Sequence, residues 1–254
     1  MALISCTCYL QHIDYPSQHF KTVNSLMING ICFDLFHTLV DVGSVPMHIG
    51  RYTADILGLD RDEWNRACFS QAHIITEKTD HFHSVKNLAH SIKPSIPESL
   101  IETAVMERQN RFNHALMNIE PGITETLQQL RQLGIKLALV SNASSGEVKA
   151  WPASPLAQLF DSAIFSCDVG ARKPEKEIYH AALNDLQLNA EQCLFVGDGG
   201  SNEHHGARQV GLQPVLITRY LHSAVKMEQQ RELVEWEIET IPQILPLLKT
   251  INGQ

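Results

Sequence analysis

The chain contains four short segments whose polar side chains together suit chemistry on a phosphoryl group. In chain order these side chains are Asp34 with Thr38, Ser141 with Asn142, Lys173, and Asp198. A carboxylate is ionised at neutral pH and can act as a nucleophile or as a metal ligand. Hydroxyl, amide and ammonium groups can hold an oxyanion and offset its charge. The residue types therefore predict a site that attacks and stabilises an anionic group.

Asp34 is the strongest single candidate because an apolar run ends abruptly in its carboxylate. The segment 31–40 reads ICFDLFHTLV, and an apolar run of this kind indicates a buried strand of a parallel sheet. An Asp at the carboxyl end of such a strand lies where open α/β sheets bind their ligands. An isolated Asp more often caps a turn. Polar segments that follow three later strands in a matching order favour the catalytic interpretation.

The later segments add an anchor for the substrate, a cation and a second carboxylate. Ser141 and Asn142 follow the next predicted strand of the core, and Lys173 precedes a predicted helix. Asp198 stands in the sequence GDGG, a turn that lets the backbone approach a ligand or an ion closely. Mg²⁺ prefers carboxylate and carbonyl oxygens and keeps several waters, so Asp34 and Asp198 suffice to predict a magnesium site.

The elements that must position these residues alternate between strands and helices. Predicted strands follow the first one at residues 135–140, 160–165, 193–196, 215–218 and 236–239, and predicted helices lie at residues 122–133, 175–186 and 242–248. Alternation of this kind implies a parallel, right-handed, doubly wound sheet. The predicted fold class is therefore α/β.

One block of the chain interrupts this alternation. Residues 44–118 show helical periodicity without a convincing strand, so we predict an inserted all-helical domain there. The core domain is then made of residues 27–43 and 119–254. Residues 1–26 look unlike the rest and are predicted to be either a loose N-terminal extension or a misassigned start, with Met27 as the true first residue.

The composition excludes several classes of function. The formal net charge of −8 argues against a general nucleic-acid binder, which needs a basic face. No apolar stretch approaches the roughly 20 residues that span a bilayer. The six cysteines show no metal-binding spacing and fit a reducing cytoplasm. We therefore expect a cytoplasmic enzyme with a small-molecule substrate and no nucleic-acid or membrane partner, and the oligomeric state stays open.

The four segments together resemble the motifs of the haloacid dehalogenase-like (HAD) hydrolase superfamily. The matching stretches are FDLFHTL at 33–39, LVSN at 139–142, KP at 173–174 and VGDGG at 196–200. The resemblance implies a Rossmann-like core with a helical cap inserted after the first motif. It also implies that Asp34 is the nucleophile, that Ser141 and Lys173 hold the phosphate or carboxylate, and that Asp198 binds Mg²⁺. Thr38 and Asn142 are then predicted to contact the substrate.

Two positions depart from the pattern of the phosphatases in this superfamily. Phe36 stands where they have a second Asp that acts as general acid and base, and loss of such help typically costs about 10²–10⁴-fold in rate. The backbone carbonyl of Phe36 can still bind Mg²⁺. Asn202 stands where the fourth motif commonly has an Asp, which predicts weaker metal binding unless the neighbouring Glu203 compensates.

Three functions are compatible with these residues. The first is a Mg²⁺-dependent phosphatase that acts on a small phosphorylated metabolite through an aspartyl-phosphate intermediate. The second is a 2-haloacid dehalogenase, whose members carry an aromatic residue two positions after the nucleophile and need no proton for the leaving halide. The third is a catalytically impaired member that binds a phosphorylated ligand or a protein partner. Asp198 among glycines favours the phosphatase.

The inserted helical block offers further side chains for the substrate, although none of them forms a readable motif. Conceivable proton donors are His37, which follows Phe36, and the block residues His81 and His83. The arginines that could reach a substrate anion are Arg51, Arg66 and Arg108. Most histidines and arginines of this kind are surface residues, so the sequence does not choose among them.

Overall fold

The computed structural model describes residues 27–221 and 224–253. Its strands are β1 (Gly30–Phe33), β2 (Lys136–Ser141), β3 (Ser162–Phe165), β4 (Cys193–Gly197), β5 (Gln213–Ile217) and β6 (Trp236–Ile238). Its α-helices are α1 (Thr53–Leu57), α2 (Arg61–Cys68), α3 (His81–Ile92), α4 (Glu98–Met117), α5 (Pro121–Gln132), α6 (Ser166–Val169), α7 (Lys176–Leu186), α8 (Glu203–Gln209), α9 (Ala224–Arg231) and α10 (Ile244–Ile251). None of these helices is long and apolar enough to cross a membrane. The predicted N-terminal extension, residues 1–26, lies outside the described residues.

The six strands form one parallel sheet in the order β3-β2-β1-β4-β5-β6. From β1 the chain adds β2 and β3 on one side and then crosses back to place β4 on the other side of β1. Such a reversal opens a crevice at the carboxyl ends of the strands. Asp34 directly follows β1 and Asp198 directly follows β4, so the topology brings both carboxylates to this crevice. The predicted α/β, doubly wound, Rossmann-like fold is confirmed.

The central strands are apolar along their whole length because helices cover both faces of the sheet. Ile31 and Phe33 belong to one apolar cluster, whereas Cys32 between them belongs to the cluster on the opposite face. Successive side chains of a strand point to opposite faces, which explains this division. Leu127 of α5 packs on the first face and Ile178 of α7 on the second. Both faces of the sheet that carries the crevice are thereby covered by packed helices.

The helices α1 to α4 occupy residues 53–117 and pack around an apolar cluster of their own. Members of this cluster are Ala54, Leu57, Trp64, Val85, Leu88 and Ile101. Asp60 and Asp80 begin α2 and α3, because each side chain accepts a hydrogen bond from the backbone N–H three residues later. We call residues 53–117 the helical block. It contains no strand, as the sequence predicts.

Predicted and observed elements of the core differ at their ends by three residues or fewer, as element ends usually do. The sequence analysis missed α6 and α9, and it gave no bounds for α8. The first is a single turn of four residues, too short for a helical period to be visible. The second reads AVKMEQQR, in which few apolar residues mark a buried face.

Candidate active site

Asp34 lies at the centre of the crevice and is held by both of its side-chain oxygens. Its backbone N–H donates to the carbonyl of Val196, 2.9 Å away in the adjacent strand, which fixes the residue between β1 and β4. Oδ2 accepts a hydrogen bond from Thr38 Oγ1 at 3.1 Å, and Oδ1 accepts one from Lys173 Nζ at 2.5 Å. Only 6 % of Asp34 is exposed. The carboxylate is therefore oriented and largely shielded from water.

A tight loop after β1 brings Thr38 back onto Asp34. His37 adopts a left-handed backbone conformation with a φ of 63°, and its N–H donates to the carbonyl of Val40 at 2.7 Å. A side chain is uncommon in this conformation, and such outliers cluster at functional sites. The loop turns the Thr38 hydroxyl inward and leaves the His37 side chain exposed, 3.8 Å from Asp41. His37 makes no contact with Asp34 among the described hydrogen bonds.

Lys173 bridges two carboxylates in the buried part of the site. Its Nζ lies 2.5 Å from Asp34 and 2.6 Å from Glu203 Oε2. Burial by itself would lower the pKa of Lys173, but Asp34 and Glu203 outweigh it and raise the pKa above its ordinary value. The side chain therefore remains an ammonium ion over the whole physiological range.

Asn142 positions Lys173 through the backbone. Its side-chain oxygen accepts a hydrogen bond from the N–H of Lys173 at 2.7 Å, and its side-chain nitrogen donates to the carbonyl of the same residue at 3.1 Å. The predicted contact of Asn142 with the substrate stays a prediction, because the amide keeps a second N–H beside the one that binds Lys173. Ser141 differs, since its buried Oγ has no hydrogen-bond partner among the described residues. Its hydroxyl is free to donate to a substrate oxyanion.

Two further carboxylates face Asp34 from the segment after β4. Asp198 Oδ1 accepts a hydrogen bond from the N–H of Gly200 at 3.0 Å, and Glu203 Oε1 accepts one from the N–H of Gly199 at 2.9 Å. One oxygen from each of Asp34, Asp198 and Glu203 lies within 4.8 Å of the others. Burial and the neighbouring Asp34 raise the pKa of Asp198, and burial raises the pKa of Glu203 well above its usual range. The cluster is thus strained by an excess of negative charge.

Glu203, the neighbour that could compensate for Asn202, lies in the cluster with Asp34 and Asp198. Asn202, expected to occupy its second acidic position, is exposed and adopts a left-handed backbone conformation with a φ of 53°. Glu203 is 1 % exposed and points into the cluster instead. A Cβ atom on Gly197 would lie 2.1 Å from Glu203 Oε1, so this approach requires glycine there.

The three carboxylates and the one ammonium fit a bound divalent cation. Lys173 can neutralise only one of the three negative charges, and oxygen ligands are what Mg²⁺ prefers. His204 supports the turn that carries Asp198, because its Nε2 lies 3.1 Å from the carbonyl of Gly197 and its Nδ1 lies 3.0 Å from the side chain of Gln230. Burial lowers the pKa of His204 to about 4, so this ring is neutral.

Phe36 forms an apolar wall between the site and the helical block. Its ring meets that of Phe112 edge to face, with the centroids 5.2 Å apart. The Phe36 side chain itself cannot transfer a proton. The predicted magnesium contact of the Phe36 carbonyl stays a prediction.

The other side chains singled out in the sequence analysis, which lie in the helical block or just before it, are either exposed or buried. Arg51 pairs with Glu107 at the surface, and Arg66 and His83 are exposed. Arg108 differs from the other two arginines because it is buried and forms an ion pair with Glu147 of the core. The ring of His81 contacts the backbone of Gly146. The structure thus brings Arg108 and His81, but not Arg51, Arg66 or His83, to the interior.

Comparison with known proteins agrees with this geometry. A family model described as haloacid dehalogenase-like hydrolase matches residues 28–211. The chain is 25% identical to a glyceraldehyde 3-phosphate phosphatase of Methanocaldococcus jannaschii over 235 residues, which are 89% of this chain and 99% of that protein. It is 24% identical to an (S)-2-haloacid dehalogenase of Pseudomonas sp. (strain YL) over 233 residues, 89% of this chain and 97% of that protein.

Solved structures share the fold. A dehalogenase crystal structure superposes with a TM-score of 0.63 at 22% identity, covering 89% of this chain and 98% of the other. The crystal structure of a HAD phosphatase from Thermococcus onnurineus gives a TM-score of 0.58 at 23% identity, covering 87% and 97%. Motifs, topology and family model agree, and the chain belongs to the haloacid dehalogenase-like hydrolase family.

Proposed function

We propose that this hydrolase is a Mg²⁺-dependent phosphatase that acts on a small phosphorylated metabolite through an aspartyl-phosphate intermediate. The observation that carries the proposal is the third carboxylate, Asp198, which adds a negative charge that Lys173 cannot neutralise. A divalent cation would offset that charge and a substrate phosphate together. Relatives named glyceraldehyde 3-phosphate phosphatase and pyrophosphatase PpaX support a phosphoryl substrate.

The nucleophilic step follows from the way Asp34 is held. Thr38 and Lys173 fix the carboxylate, so one oxygen can attack phosphorus in line with the leaving alkoxide or aryloxide. The ester P–O bond breaks as the new P–O bond to Asp34 forms, and water then hydrolyses the acyl phosphate to release inorganic phosphate. Lys173 and the free hydroxyl of Ser141 hold the non-bridging oxygens. These roles predict the largest losses of activity for changes at Asp34 and Lys173.

The metal would be held by the carboxylates that crowd one another in its absence. Asp34 and Asp198, with Glu203 close by, would bind Mg²⁺ directly or through water, and the ion would neutralise charge that develops on the phosphoryl group. The backbone carbonyl of Phe36 is a further proposed ligand.

The helical block is proposed to act as a cap over the crevice. Its α4 helix places Phe112 on Phe36 and Arg108 on Glu147, so it contacts both the first-motif loop and the segment after β2. A cap in this position excludes water from the reacting groups and shapes the space for the part of the substrate that does not react.

A second candidate, 2-haloacid dehalogenase, is favoured by one observation. Phe36 and Phe112 make an apolar wall where a phosphatase of this family carries its general acid. A halide ion leaves without a proton, so the wall is no disadvantage for that reaction. The relative from Pseudomonas sp. (strain YL) bears the dehalogenase name. Asp198 distinguishes the two candidates because a dehalogenase has no use for a metal site.

A single panel separates the candidates. Hydrolysis of aryl and alkyl phosphates and halide release from 2-chloropropionate would be measured with Mg²⁺ and with EDTA. We expect phosphate release that depends on Mg²⁺ and is lost in EDTA. Halide release that persists in EDTA would make the dehalogenase the correct assignment. Tight binding of phosphate without any turnover would identify a catalytically impaired member.

A further inference from the structure

A buried polar cluster lies outside the catalytic motifs, where the helical block meets the core. We call it the Arg108 cluster, and its members are His73, His81, Arg108 and Glu147, with Ser145 two residues before Glu147 in the chain. Arg108 Nη2 donates to Glu147 Oε1 at 2.5 Å, and Glu147 Oε2 accepts a hydrogen bond from the N–H of Ser144 at 2.8 Å. The ion pair is buried, with 9 % of Arg108 and 3 % of Glu147 exposed.

The Arg108 cluster adjoins the candidate active site by two routes. The segment that begins at Ser141, the end of β2, reaches Glu147 within seven residues. In the helical block, the guanidinium carbon of Arg108 lies 4.6 Å from the centre of the Phe112 ring, which in turn contacts Phe36. One aromatic side chain therefore separates the cluster from the loop that carries Asp34.

Several polar atoms in and beside the Arg108 cluster have no hydrogen-bond partner in the described part of the chain. Both ring nitrogens of His81 and the hydroxyl of Ser145 are buried without a hydrogen bond among the described residues. Arg108 makes one hydrogen bond in the described part of the chain, although a guanidinium carries five N–H donors. Buried polar groups are nearly always paired, and such exceptions require an explanation. These groups are available to a bound molecule.

The charges around His81 favour an anion. The charged groups that act on its ring are Arg108, Glu147, His73 and Lys149. Glu147 is already bound by Arg108 and by Ser144, and His73 Nε2 lies 3.4 Å from it. Arg108 and Glu147 balance each other, and the exposed Lys149 adds one positive charge that acts on the His81 ring. Burial, reinforced by Arg108, lowers the pKa of His81 to about 4, so its ring is neutral and offers one N–H donor.

We propose that the Arg108 cluster binds a second anionic group of the substrate, a carboxylate or a second phosphate, at the end remote from Asp34. The remaining donors of Arg108, the N–H of His81 and the hydroxyl of Ser145 supply the hydrogen bonds. Gly146 is part of this arrangement, because a Cβ atom there would lie 1.8 Å from His81 Nδ1. The proposal rests on the phosphatase function and narrows it to phosphate esters that carry a second negative charge.

The test compares ω-carboxyalkyl phosphates with alkyl phosphates of the same chain length at saturating Mg²⁺. The wild-type protein is expected to show a higher kcat/KM for the carboxylated series, with a maximum at the chain length that spans the two sites. His81→Phe keeps the ring and removes both nitrogens, and it should reduce this preference about tenfold. Ser145→Ala should reduce it in the same direction. His83→Phe, an exposed change on the same helix, is the matched control and should leave the preference unaltered.

His81→Phe and Ser145→Ala remove atoms without protein partners, so both variants are expected to fold with an unchanged or higher Tm. Arg108→Lys, which keeps a positive charge against Glu147, tests the arginine without leaving a buried carboxylate unpaired. It should also lower the preference for the carboxylated series. A preference that stays at the wild-type value in all three variants overturns the proposal. Equal losses on both series would show a structural role and overturn it as well.

A binding measurement separates this proposal from the phosphatase function. Calorimetry on the wild-type protein would compare ω-carboxyalkylphosphonates and bisphosphonates with plain alkylphosphonates, none of which is hydrolysed. Selective binding of the doubly charged compounds without turnover of any ester supports the anion site and refutes the phosphatase. Turnover without selectivity refutes the anion site alone. If the ω-carboxyalkylphosphonates bind more tightly, the second group of the substrate is a carboxylate. If the bisphosphonates bind more tightly, it is a phosphate.

Discussion

Two buried ionic clusters lie close together in this protein, and they differ in charge balance. The catalytic cluster sets Asp34, Asp198 and Glu203 against Lys173, whereas the Arg108 cluster sets Arg108 against Glu147 with unpaired donors beside them. Buried charge is unfavourable unless it is compensated. The first cluster therefore has an excess of negative charge that a cation would offset, whereas in the second Arg108 and Glu147 balance each other and hydrogen-bond donors are left over. The comparison teaches that local charge balance identifies what each site lacks.

The two clusters also differ in how the fold builds them. The catalytic cluster is assembled at the ends of β1 and β4 and at the start of α8, all rigid parts of the core. The Arg108 cluster joins α4 of the helical block to the segment after β2, so any relative movement of the two parts would open it. Under the proposed function, the catalytic residues lie within the core, and the residues that bind the second anionic group lie where the helical block meets the core.

Asp34→Asn tests the first cluster most severely and should remove phosphate release to the background level. The amide is nearly isosteric with the carboxylate but is a far poorer nucleophile. Steady-state hydrolysis of an aryl phosphate and a circular dichroism spectrum measure activity and fold. Activity above a few per cent of wild type, in protein free of deamidated material, contradicts the covalent mechanism. A reduction to a few per cent corresponds to an activation free energy that is roughly 2 kcal/mol higher.

Phe36→Asp tests whether only the proton donor is missing from the catalytic cluster. The new carboxyl group should raise turnover of alkyl phosphates, whose leaving groups need a proton, by up to about 10²–10⁴-fold. Aryl phosphates leave as stable anions and should gain much less. Phe36→Leu, which stays apolar, is the matched control. An alkyl-to-aryl rate ratio equal to that of wild type, in folded and metal-bound Phe36→Asp, would rule out this position as the acid.

Glu203→Gln tests whether the Glu203 carboxylate contributes to metal binding, through its effect on the Mg²⁺ requirement. The amide keeps the shape and can still accept from Gly199, but one negative charge is lost. The Mg²⁺ concentration for half-maximal activity should rise about 10–100-fold. The control is Asn202→Asp, which adds a charge at the exposed neighbouring position and should leave the value unchanged. An unchanged Mg²⁺ requirement in Glu203→Gln together with a changed one in Asn202→Asp would show that position 202, not Glu203, contributes to metal binding.

Glu147→Gln tests the second cluster through stability. Burial opposes ionisation of Glu147, but His73 and Arg108 outweigh it and hold the pKa of the carboxyl well below its usual range. The folded state therefore binds fewer protons than the unfolded state, and the pair stabilises the fold fully above the ordinary carboxyl pKa. That contribution declines as the pH falls toward the folded-state pKa. Urea unfolding at several pH values measures it.

The variant should lose about 3 kcal/mol of unfolding free energy at pH 7, because Arg108 is left buried without its counter-ion. The loss should shrink in acid, where the wild-type protein also loses the pair. Asp55→Asn breaks the exposed contact with Arg61 in the same helical block and should change stability little. A loss as small as that of the control would show that the Arg108 cluster is not a buried ionic unit.

The sequence by itself determined the architecture and named most of the residues that meet in the candidate site. Apolar runs fixed the strands of the core within three residues, because each strand must bury both faces, and polar residues at strand ends therefore identified Asp34, Ser141 and Asp198. The apolar pattern of a segment indicates whether that segment itself is buried. Such patterns are sufficient wherever the chemistry follows directly from an element end.

Only the tertiary structure decided which side chains meet. Lys173 and Asp34 are 139 residues apart, and neither the second carboxylate on Lys173 nor the use of Asn142 as its clamp is visible in the sequence. The choice of Glu203 over Asn202 depended on the direction in which α8 leaves the glycine turn. The pairing of Arg108 with Glu147 depended on the helical block lying on the core. Such contacts arise from chain topology, which places residues distant in sequence at one edge of the sheet.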